Sequence, residues 1–97
     1  MAANLSTLIE TDQLQTLLEE NAELVLLDCR FDLFDISLGR RLYNQGHICT
    51  AQYVDLNQDL SAAIQPGITG RHPLPTRQSF TQTARAWGIS DHTPVVA

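Results

Sequence analysis

The triplet Asp28-Cys29-Arg30 brings a carboxylate, a thiol and a guanidinium together directly after an apolar run. A cysteine nucleophile needs surroundings that stabilise its thiolate, such as a helix N-terminus, a ring of backbone N–H groups or a nearby cation. Arg30 could supply the cation, but the carboxylate of Asp28 flanks the thiol on its other side. We therefore interpret Cys29 as a small core residue, and Asp28 and Arg30 as an ion pair that bonds to the backbone of the following loop.

The acidic residues that follow the two cysteines argue against a phosphatase site. The residues six positions after Cys29 and Cys49 are Asp35 and Asp55. Cysteine-dependent phosphatases have an arginine at that spacing, and the loop between the two residues wraps the phosphate. A carboxylate has the wrong charge for an oxyanion site, so we interpret Cys49 as a small core residue as well.

No group of side chains predicts a metal ion or an organic cofactor. His47, His72 and His92 are far apart in the sequence, and none pairs with a cysteine at ligand spacing. Gly67 and Gly70 lack the Lys-Ser/Thr that follows a phosphate-binding loop. We expect neither kind of group to be bound.

The composition indicates one small globular domain. The chain has 97 residues, of which 43% are hydrophobic, and a formal net charge of −5. This acidity argues against nucleic acid and anionic membranes as partners, and no apolar run approaches the ~20 residues that a membrane span needs. The first residues lack the pattern of a signal peptide and the two cysteines are typical of free thiols, so we expect a cytoplasmic location.

The apolar run 24–27 is typical of a central parallel strand that is buried on both faces. Periodicity alone also permits a buried helix, but the β-favouring Val25 and the polar stop at Asp28 favour a strand. Open α/β sheets place their ligand crevices at the carboxyl ends of strands. Asp28 and Arg30 therefore stand where a binding site would be.

The rest of the pattern alternates short strands with amphipathic helices and predicts an open parallel α/β sheet that is flanked by helices. Helices are expected over residues 11–20 (capped by Thr11), 40–45 (ended by Gly46), 57–64 (capped by Asn57) and from Thr76 to Gly88. Strands are expected over 5–9, 53–56 and 95–96. The last two should flank the central strand, with the helices from Thr11 and Thr76 on the faces of the sheet. The chain stops after this third core strand, which suggests a truncated fold.

Several short motifs lie at the ends of these elements. They are Asp-Cys-Arg at 28–30, Gly-His-Ile at 46–48, Tyr-Val-Asp-Leu at 53–56, His-Pro-Leu-Pro at 72–75 and Trp-Gly-Ile-Ser at 87–90. Over residues 8–97 they resemble the rhodanese domain, and the His-x-Leu-Pro loop points to the N-terminal domain of two-domain thiosulfate and 3-mercaptopyruvate sulfurtransferases. The resemblance implies a rhodanese-like fold, of which residues 1–97 would be the N-terminal, incomplete part.

In that family a cysteine carries sulfur as a persulfide, in a loop that would begin just past Ala97; in two-domain members the second domain carries this cysteine. The resemblance therefore implies a transferase that moves sulfane sulfur from thiosulfate or 3-mercaptopyruvate to a thiophilic acceptor. Its partner would be a second rhodanese domain of the same protein, and these residues alone would be inactive. The motif residues that the resemblance assigns to the scaffold are Asp28, Arg30, Gly46, His47 and Asp55.

The 3-mercaptopyruvate branch adds a hypothesis about two auxiliary residues. There a His of the His-x-Leu-Pro loop, paired with an Asp, helps a hydroxyl group act on the substrate at the second domain's cysteine. His72 matches the His, whereas the Asp position is Asn57. Asn57 can orient the imidazole but adds no charge, so the resemblance implies a weakened relay and thiosulfate as the favoured donor. The alternative interpretation is an exposed loop histidine without a role.

Two other interpretations of the whole chain stay open. A catalytically inactive rhodanese module could have a binding or regulatory role. Rhodanese-fold phosphatases that activate cyclin-dependent kinases share the Asp28-Cys29-Arg30 triplet, but the His-x-Leu-Pro loop and the missing Cys-to-Arg spacing count against them. The chain also departs from the family at Cys29, where Ala is common, and at 49–50, where Pro-Gly is common.

Overall fold

The structure, a computed structural model that describes residues 7–97, is built on a parallel sheet. In this part of the chain the strands are β1 (Val25–Asp28), β2 (Gln52–Tyr53) and β3 (Val95–Val96), and the helices are α1 (Thr11–Glu19), α2 (Leu38–Gln45) and α3 (Arg77–Ala86). The strand order is β2-β1-β3, and both pairings are parallel. The predicted α/β class, the central position of β1 and both of its neighbours are confirmed.

The core lies on β1 because its apolar run is covered by neighbours on both sides. Leu26, Ala51 and Val96 form the buried cluster, and the partly buried residues packed against it are Ile9, Leu14, Leu18 and Leu24. Two of these come from α1, which therefore packs its apolar face against the sheet. α3 contributes no buried residue and reaches the sheet through Gln52, whose amide donates a 2.8 Å hydrogen bond to the carbonyl of Trp87.

The segment after β2 differs from its prediction in two ways. β2 ends at Tyr53, so the expected strand over 53–56 is wrong in its bounds. The helix expected over 57–64 is absent, since a turn at 56–59 is followed by residues without regular structure. Oδ1 of Asp55 accepts hydrogen bonds from the backbone N–H groups of Asn57 at 2.7 Å and Gln58 at 3.1 Å, as the side chain of a helix N-cap residue does. The carbonyl oxygen of Asp55 accepts from the N–H of Asp59 at 2.8 Å, so a single turn forms over 56–59 and does not continue as a helix. Asn57 is therefore held inside a turn and caps no helix.

The helix boundaries follow most of the expected start and stop signals, but α2 begins at Leu38, two residues before the expected residue 40. Thr76 caps α3 as predicted, since its hydroxyl accepts from the N–H of Ser79 at 3.1 Å, and Gly88 ends the helix with a φ of 88°. α1 begins at Thr11 as expected, but its N-cap residue is Glu10 and not Thr11. The expected strand over 5–9 lies partly outside the described residues, and residues 7–9 form no strand.

α2 begins at Leu38 and lies against the ends of β1 and β2. Its second residue, Gly39, is buried, and a Cβ atom there would overlap the carbonyl oxygen of Arg30 and the hydroxyl of Tyr53. That hydroxyl donates a 3.1 Å hydrogen bond to the same carbonyl. Gly46 ends α2 as predicted, but its φ of 175° is extended backbone, which any residue adopts. The glycine that this packing requires is therefore Gly39.

A Gly39→Ala substitution is expected to lower the free energy of unfolding by about 1–3 kcal/mol, the usual cost of overpacking. Alanine is the better helix former, but a gain of about 1 kcal/mol cannot offset a clash with fixed backbone. The matched control is Gly46→Ala, because nothing lies within 4 Å of a Cβ there. Urea denaturation followed by circular dichroism measures both. Equal midpoints for the two variants would contradict the close contact at Gly39.

Candidate functional site

Arg30 joins the end of β1 to the end of α2. Its guanidinium binds the Asp28 carboxylate through Nε, 3.0 Å from Oδ1, and through Nη2, 2.8 Å from Oδ2. Nη2 also donates a 2.8 Å hydrogen bond to the carbonyl oxygen of Gly46. A planar guanidinium suits this two-point contact with a carboxylate. The pair therefore fixes where the chain leaves β1 relative to where α2 ends.

This ion pair shifts the acidity of both of its partners. The hydrogen bond from Arg30 holds the pKa of Asp28 below its ordinary value, against an opposing effect of burial. The same bond raises the pKa of Arg30. Both shifts favour the charged forms, which suits a structural ion pair and leaves neither group ready to exchange a proton at neutral pH.

His47 is held by α2 rather than aimed at a cavity. Its ring stacks on Tyr43, with centroids 3.7 Å apart and planes 7° from parallel, and Nδ1 lies 2.8 Å from the Tyr43 carbonyl oxygen. The Tyr43 hydroxyl in turn donates to the carbonyl of Ala51 at 2.5 Å. These contacts connect α2 to the segment before β2. That His47 serves the scaffold alone stays a prediction.

The interpretation of the two cysteines as core residues is wrong. Cys29 and Cys49 are both exposed and unpaired. Cys29 lies past the end of β1, and Cys49 lies in a turn with Thr50, whose φ is 72°. Partial burial of the thiol raises the pKa of Cys29, and the Asp28 carboxylate raises it further. Cys29 is therefore exposed but poorly suited to form a thiolate.

The structure brings Asn57 and His72 together although fourteen residues separate them in the sequence. Nε2 of His72 lies 2.9 Å from Oδ1 of Asn57. The turn at Asp55 holds the backbone of Asn57, and a 2.8 Å hydrogen bond from the N–H of Ala62 to the carbonyl of Pro73 holds the loop of His72. Since an amide oxygen accepts, Nε2 carries the proton and Nδ1 of the neutral ring is an acceptor.

A cavity of about 180 Å³ opens beside this pair. We call it the His72 cavity, and its lining residues are Phe31, Leu33, Ile36, Asn57, Ile64, Arg71 and His72. The ring of Phe31 meets the ring of His72 edge to face, with centroids 6.0 Å apart. One side of the cavity is apolar and the other carries an amide, an imidazole and a guanidinium. This mixture is typical of a small-molecule site.

A larger cleft, of about 450 Å³, lies next to the start of α3. Its walls are formed by Leu60, Leu74, Pro75, Thr76, Arg77 and Phe80. The Thr76 hydroxyl is engaged as the helix cap, and no imidazole, thiol or carboxylate lines the cleft. Size alone therefore does not make it the better candidate, and we take the His72 cavity as the candidate site.

Within residues 7–97 no group of three or more histidine, cysteine or acidic side chains is placed to hold a metal ion. None of the helices in this range is long and apolar enough to cross a bilayer.

The fold and the sequence both match sulfurtransferases, and both findings are consistent with a partial rhodanese-like domain, as the motifs predict. The chain is 44% identical over 89 residues to a protein of Pseudomonas aeruginosa named as a probable 3-mercaptopyruvate sulfurtransferase. It is 36% identical over 96 residues to a Mycobacterium tuberculosis protein that is named among the thiosulfate sulfurtransferases. No family model matches the chain.

A solved structure agrees with these relatives. The 3-mercaptopyruvate sulfurtransferase from Leishmania major superposes with a TM-score of 0.72 at 31% identity, over 84% of this chain and 22% of that one. The alignments with the two bacterial relatives take in 92% and 99% of this chain. They take in 31% and 33% of the relatives, so the chain spans about a third of their length.

Sequence reasoning paired Asn57 with His72 only through the family resemblance, and it missed other residues of the site. It gave no role to Phe31 and Arg71, which line the cavity, or to Gly39, which is buried in the first turn of α2. The one available signal was position, since Arg71 directly precedes the motif histidine. The contact at Gly39 has no local signature because its partners come from the segment after β1 and from β2.

Replacing Asp28 by Asn is expected to change how stability depends on pH. Because the folded-state pKa of Asp28 is lowered, its ion pair adds stability above the ordinary carboxyl pKa of about 3.9 and loses that contribution as the pH falls further. The unfolding free energies of the parent and Asp28→Asn should therefore differ most near neutral pH and converge in acid. Urea unfolding across this range measures the difference. The control is Asp91→Asn, an exposed carboxylate without an ion pair in the described residues, and a pH-independent offset for Asp28→Asn would contradict the assignment.

Proposed function

We propose that this chain is the N-terminal part of a two-domain sulfurtransferase, which moves sulfane sulfur from thiosulfate or 3-mercaptopyruvate to a thiophilic acceptor. The persulfide would form on a cysteine outside these 97 residues, in a second rhodanese domain of the same protein. Two findings support a second domain outside this chain. The relatives are named as sulfurtransferases, and the chain spans only about a third of their length. Two unpaired thiols suit a reducing compartment, so we include a cytoplasmic location in the proposal.

The observation that carries the proposal is the hydrogen bond between Asn57 and His72 at the edge of the His72 cavity. It orients the imidazole of the His-x-Leu-Pro motif beside a space of small-molecule size. Neither cysteine lines the His72 cavity, and burial together with the Asp28 carboxylate raises the pKa of Cys29. The arrangement suits an auxiliary half of an active site better than a complete one.

The two donors make different demands on such a site. When a thiolate takes the sulfur of 3-mercaptopyruvate, the C–S bond breaks and the carbon left behind becomes the enolate of pyruvate, which needs a proton. When it takes the outer sulfur of thiosulfate, the S–S bond breaks and sulfite leaves without a proton transfer to carbon. His72 could help only the first reaction, as the imidazolium: Nδ1 donates its proton to a hydroxyl group while that hydroxyl group donates its own proton to the enolate.

Asn57 weakens this help. A carboxylate at its position would stabilise the imidazolium that forms when His72 takes a proton, whereas a neutral amide orients the ring without adding charge. The proposed enzyme therefore uses 3-mercaptopyruvate with less assistance than a protein with Asp at this position. Thiosulfate becomes the favoured donor.

The location of the persulfide can be tested on the intact protein that contains this chain. The double variant Cys29→Ser/Cys49→Ser is expected to transfer sulfur to cyanide as fast as the parent, because neither thiol takes part. Mass spectrometry after treatment with thiosulfate should find the added sulfur on a cysteine outside the present sequence. Loss of transfer in the double variant, or a persulfide on Cys29 or Cys49, would contradict the proposal that the persulfide forms outside this chain.

The role of His72 can be tested by comparing donors. His72→Ala is expected to lower 3-mercaptopyruvate turnover on the order of tenfold or more, as for the loss of a proton-transfer group, while sparing thiosulfate. Asn57→Asp should raise 3-mercaptopyruvate turnover because it supplies the missing charge. His92→Ala, at an exposed position away from the His72 cavity, is the control. Equal, small effects of His72→Ala on both donors would show that this histidine has only a structural role in its loop.

A further inference from the structure

We propose that the larger cleft, next to the start of α3, is a docking surface for an acidic segment of another protein. We call it the α3 cleft, and its lining residues are Leu60, Leu74, Pro75, Thr76, Arg77 and Phe80. None of these residues lines the His72 cavity, so the inference goes beyond the proposed function and does not depend on it. The occupant is a peptide segment in which carboxylates flank a bulky apolar side chain.

Positive charge is separated from negative charge along the chain. Residues 60–90 contain three of the six arginines and no aspartate or glutamate, so all 11 acidic residues of the chain lie outside this segment. Every residue that lines the α3 cleft lies inside it. The cleft is therefore formed by a positively charged stretch of a chain whose net charge is −5.

The two arginines of α3 keep their charge available to a partner. Arg30 and Arg41 each form an ion pair with an aspartate, whereas Arg77 and Arg85 are exposed and form no ion pair with another residue between 7 and 97. Thr81 lies midway between them at helical spacing, so the two guanidinium groups follow one row along the helix from the edge of the α3 cleft. A guanidinium can donate two parallel hydrogen bonds to a carboxylate.

The α3 cleft itself is apolar and open to solvent. Its volume is about 450 Å³, and Leu60, Leu74, Pro75 and Phe80 supply the apolar walls. Leu74 is 89% exposed and Phe80 is 39% exposed. Apolar surface that is edged by polar groups marks interaction sites, and a pocket that buries one large apolar side chain supplies much of the binding energy of an interface.

Contacts within the chain hold the α3 cleft in shape. The ring of Phe80 meets the ring of Trp87 edge to face, with centroids 6.3 Å apart. The carbonyl of Trp87 accepts the hydrogen bond from Gln52 of β2, and the Thr76 hydroxyl caps the first turn of the helix. A surface that is formed before binding loses less conformational entropy when a partner docks.

The charge of the whole chain favours a peptide over an anionic membrane as the occupant. A membrane is a broad negative surface, which would also repel the 11 acidic residues of the chain. A peptide segment is narrow enough to contact the α3 cleft and the arginine row alone. Its carboxylates would pair with the arginines while its apolar side chain fills the cleft.

The experiment uses the intact protein that contains this chain and a phage-displayed library of random peptides. The peptides that the parent enriches are expected to carry a bulky apolar residue next to Asp or Glu. One enriched peptide is synthesised with a fluorescent label, and anisotropy gives its Kd. A version with Lys in place of Asp and Glu should bind at least about tenfold more weakly. Salt should weaken the binding of the acidic version, because salt screens exposed charges.

Two double variants test the charge. Arg77→Gln/Arg85→Gln is expected to raise the Kd of the acidic peptide about tenfold or more and to reduce its salt dependence. Arg40→Gln/Arg41→Gln removes the same charge from α2 and should leave the Kd nearly unchanged.

Two single variants test the apolar contact. Leu74→Ser is expected to raise the Kd about tenfold, because the apolar side chain of the peptide loses its wall. Ile68→Ser is the control, since Ile68 is 78% exposed and does not line the α3 cleft. Both positions are exposed, so neither substitution should prevent folding.

Weaker binding in Arg77→Gln/Arg85→Gln and Leu74→Ser, with both controls unchanged, supports the docking surface. Failure to enrich acidic peptides would overturn it, also if the cause is that another part of the intact protein covers the α3 cleft. Equal effects of the test variants and their controls would place the peptide elsewhere and contradict the inference. Binding to phosphatidylserine vesicles through Arg77 and Arg85, without peptide binding, would assign this surface to a membrane and overturn the inference as well.

Discussion

The two-way bonding of Arg30 is the interaction on which the rest of the structure depends. Its guanidinium holds the carboxylate at the end of β1 and the carbonyl at the end of α2, while its own carbonyl receives the Tyr53 hydroxyl from β2. One residue thus connects a helix and two strands. Because the sheet is short, with only two residues in each strand beside β1, side-chain bonds of this kind replace ladder hydrogen bonds in fixing the geometry of its carboxyl edge.

That edge is where the candidate site forms, because the loops after neighbouring parallel strands leave the sheet on the same side. The loop after β1 supplies Phe31, and the turn after β2 supplies Asn57. The Pro-rich segment before α3 adds His72, which the backbone bond between Ala62 and Pro73 holds in place. The site is therefore assembled from residues that lie far apart in the sequence, and its precision depends on the scaffold around Arg30.

Sequence reasoning succeeded where the signal is local. The apolar run before Asp28 predicted the central strand, and Thr76 and Gly88 predicted the ends of α3, because each reflects a rule about neighbouring residues. Sequence reasoning failed where a long-range contact or a local hydrogen bond determines the structure. The cap expected at Asn57 is at Asp55, whose carboxylate accepts from the N–H groups of residues 57 and 58, and only one turn follows it. Cys29 is exposed because it is the first residue after the end of β1.

The close approach of Gly39 to Arg30 has a consequence for the segment between them. Residues 31–38 leave the scaffold and return to it at nearly the same point, since only a residue without a side chain fits at the return. The excursion is therefore a closed loop with fixed ends, and its length and sequence can vary without moving the sheet or α2. Its apolar residues form one wall of the cavity, so this wall can be exchanged as a module. Loop grafting between relatives would then alter ligand preference while the sheet and α2 stay the same.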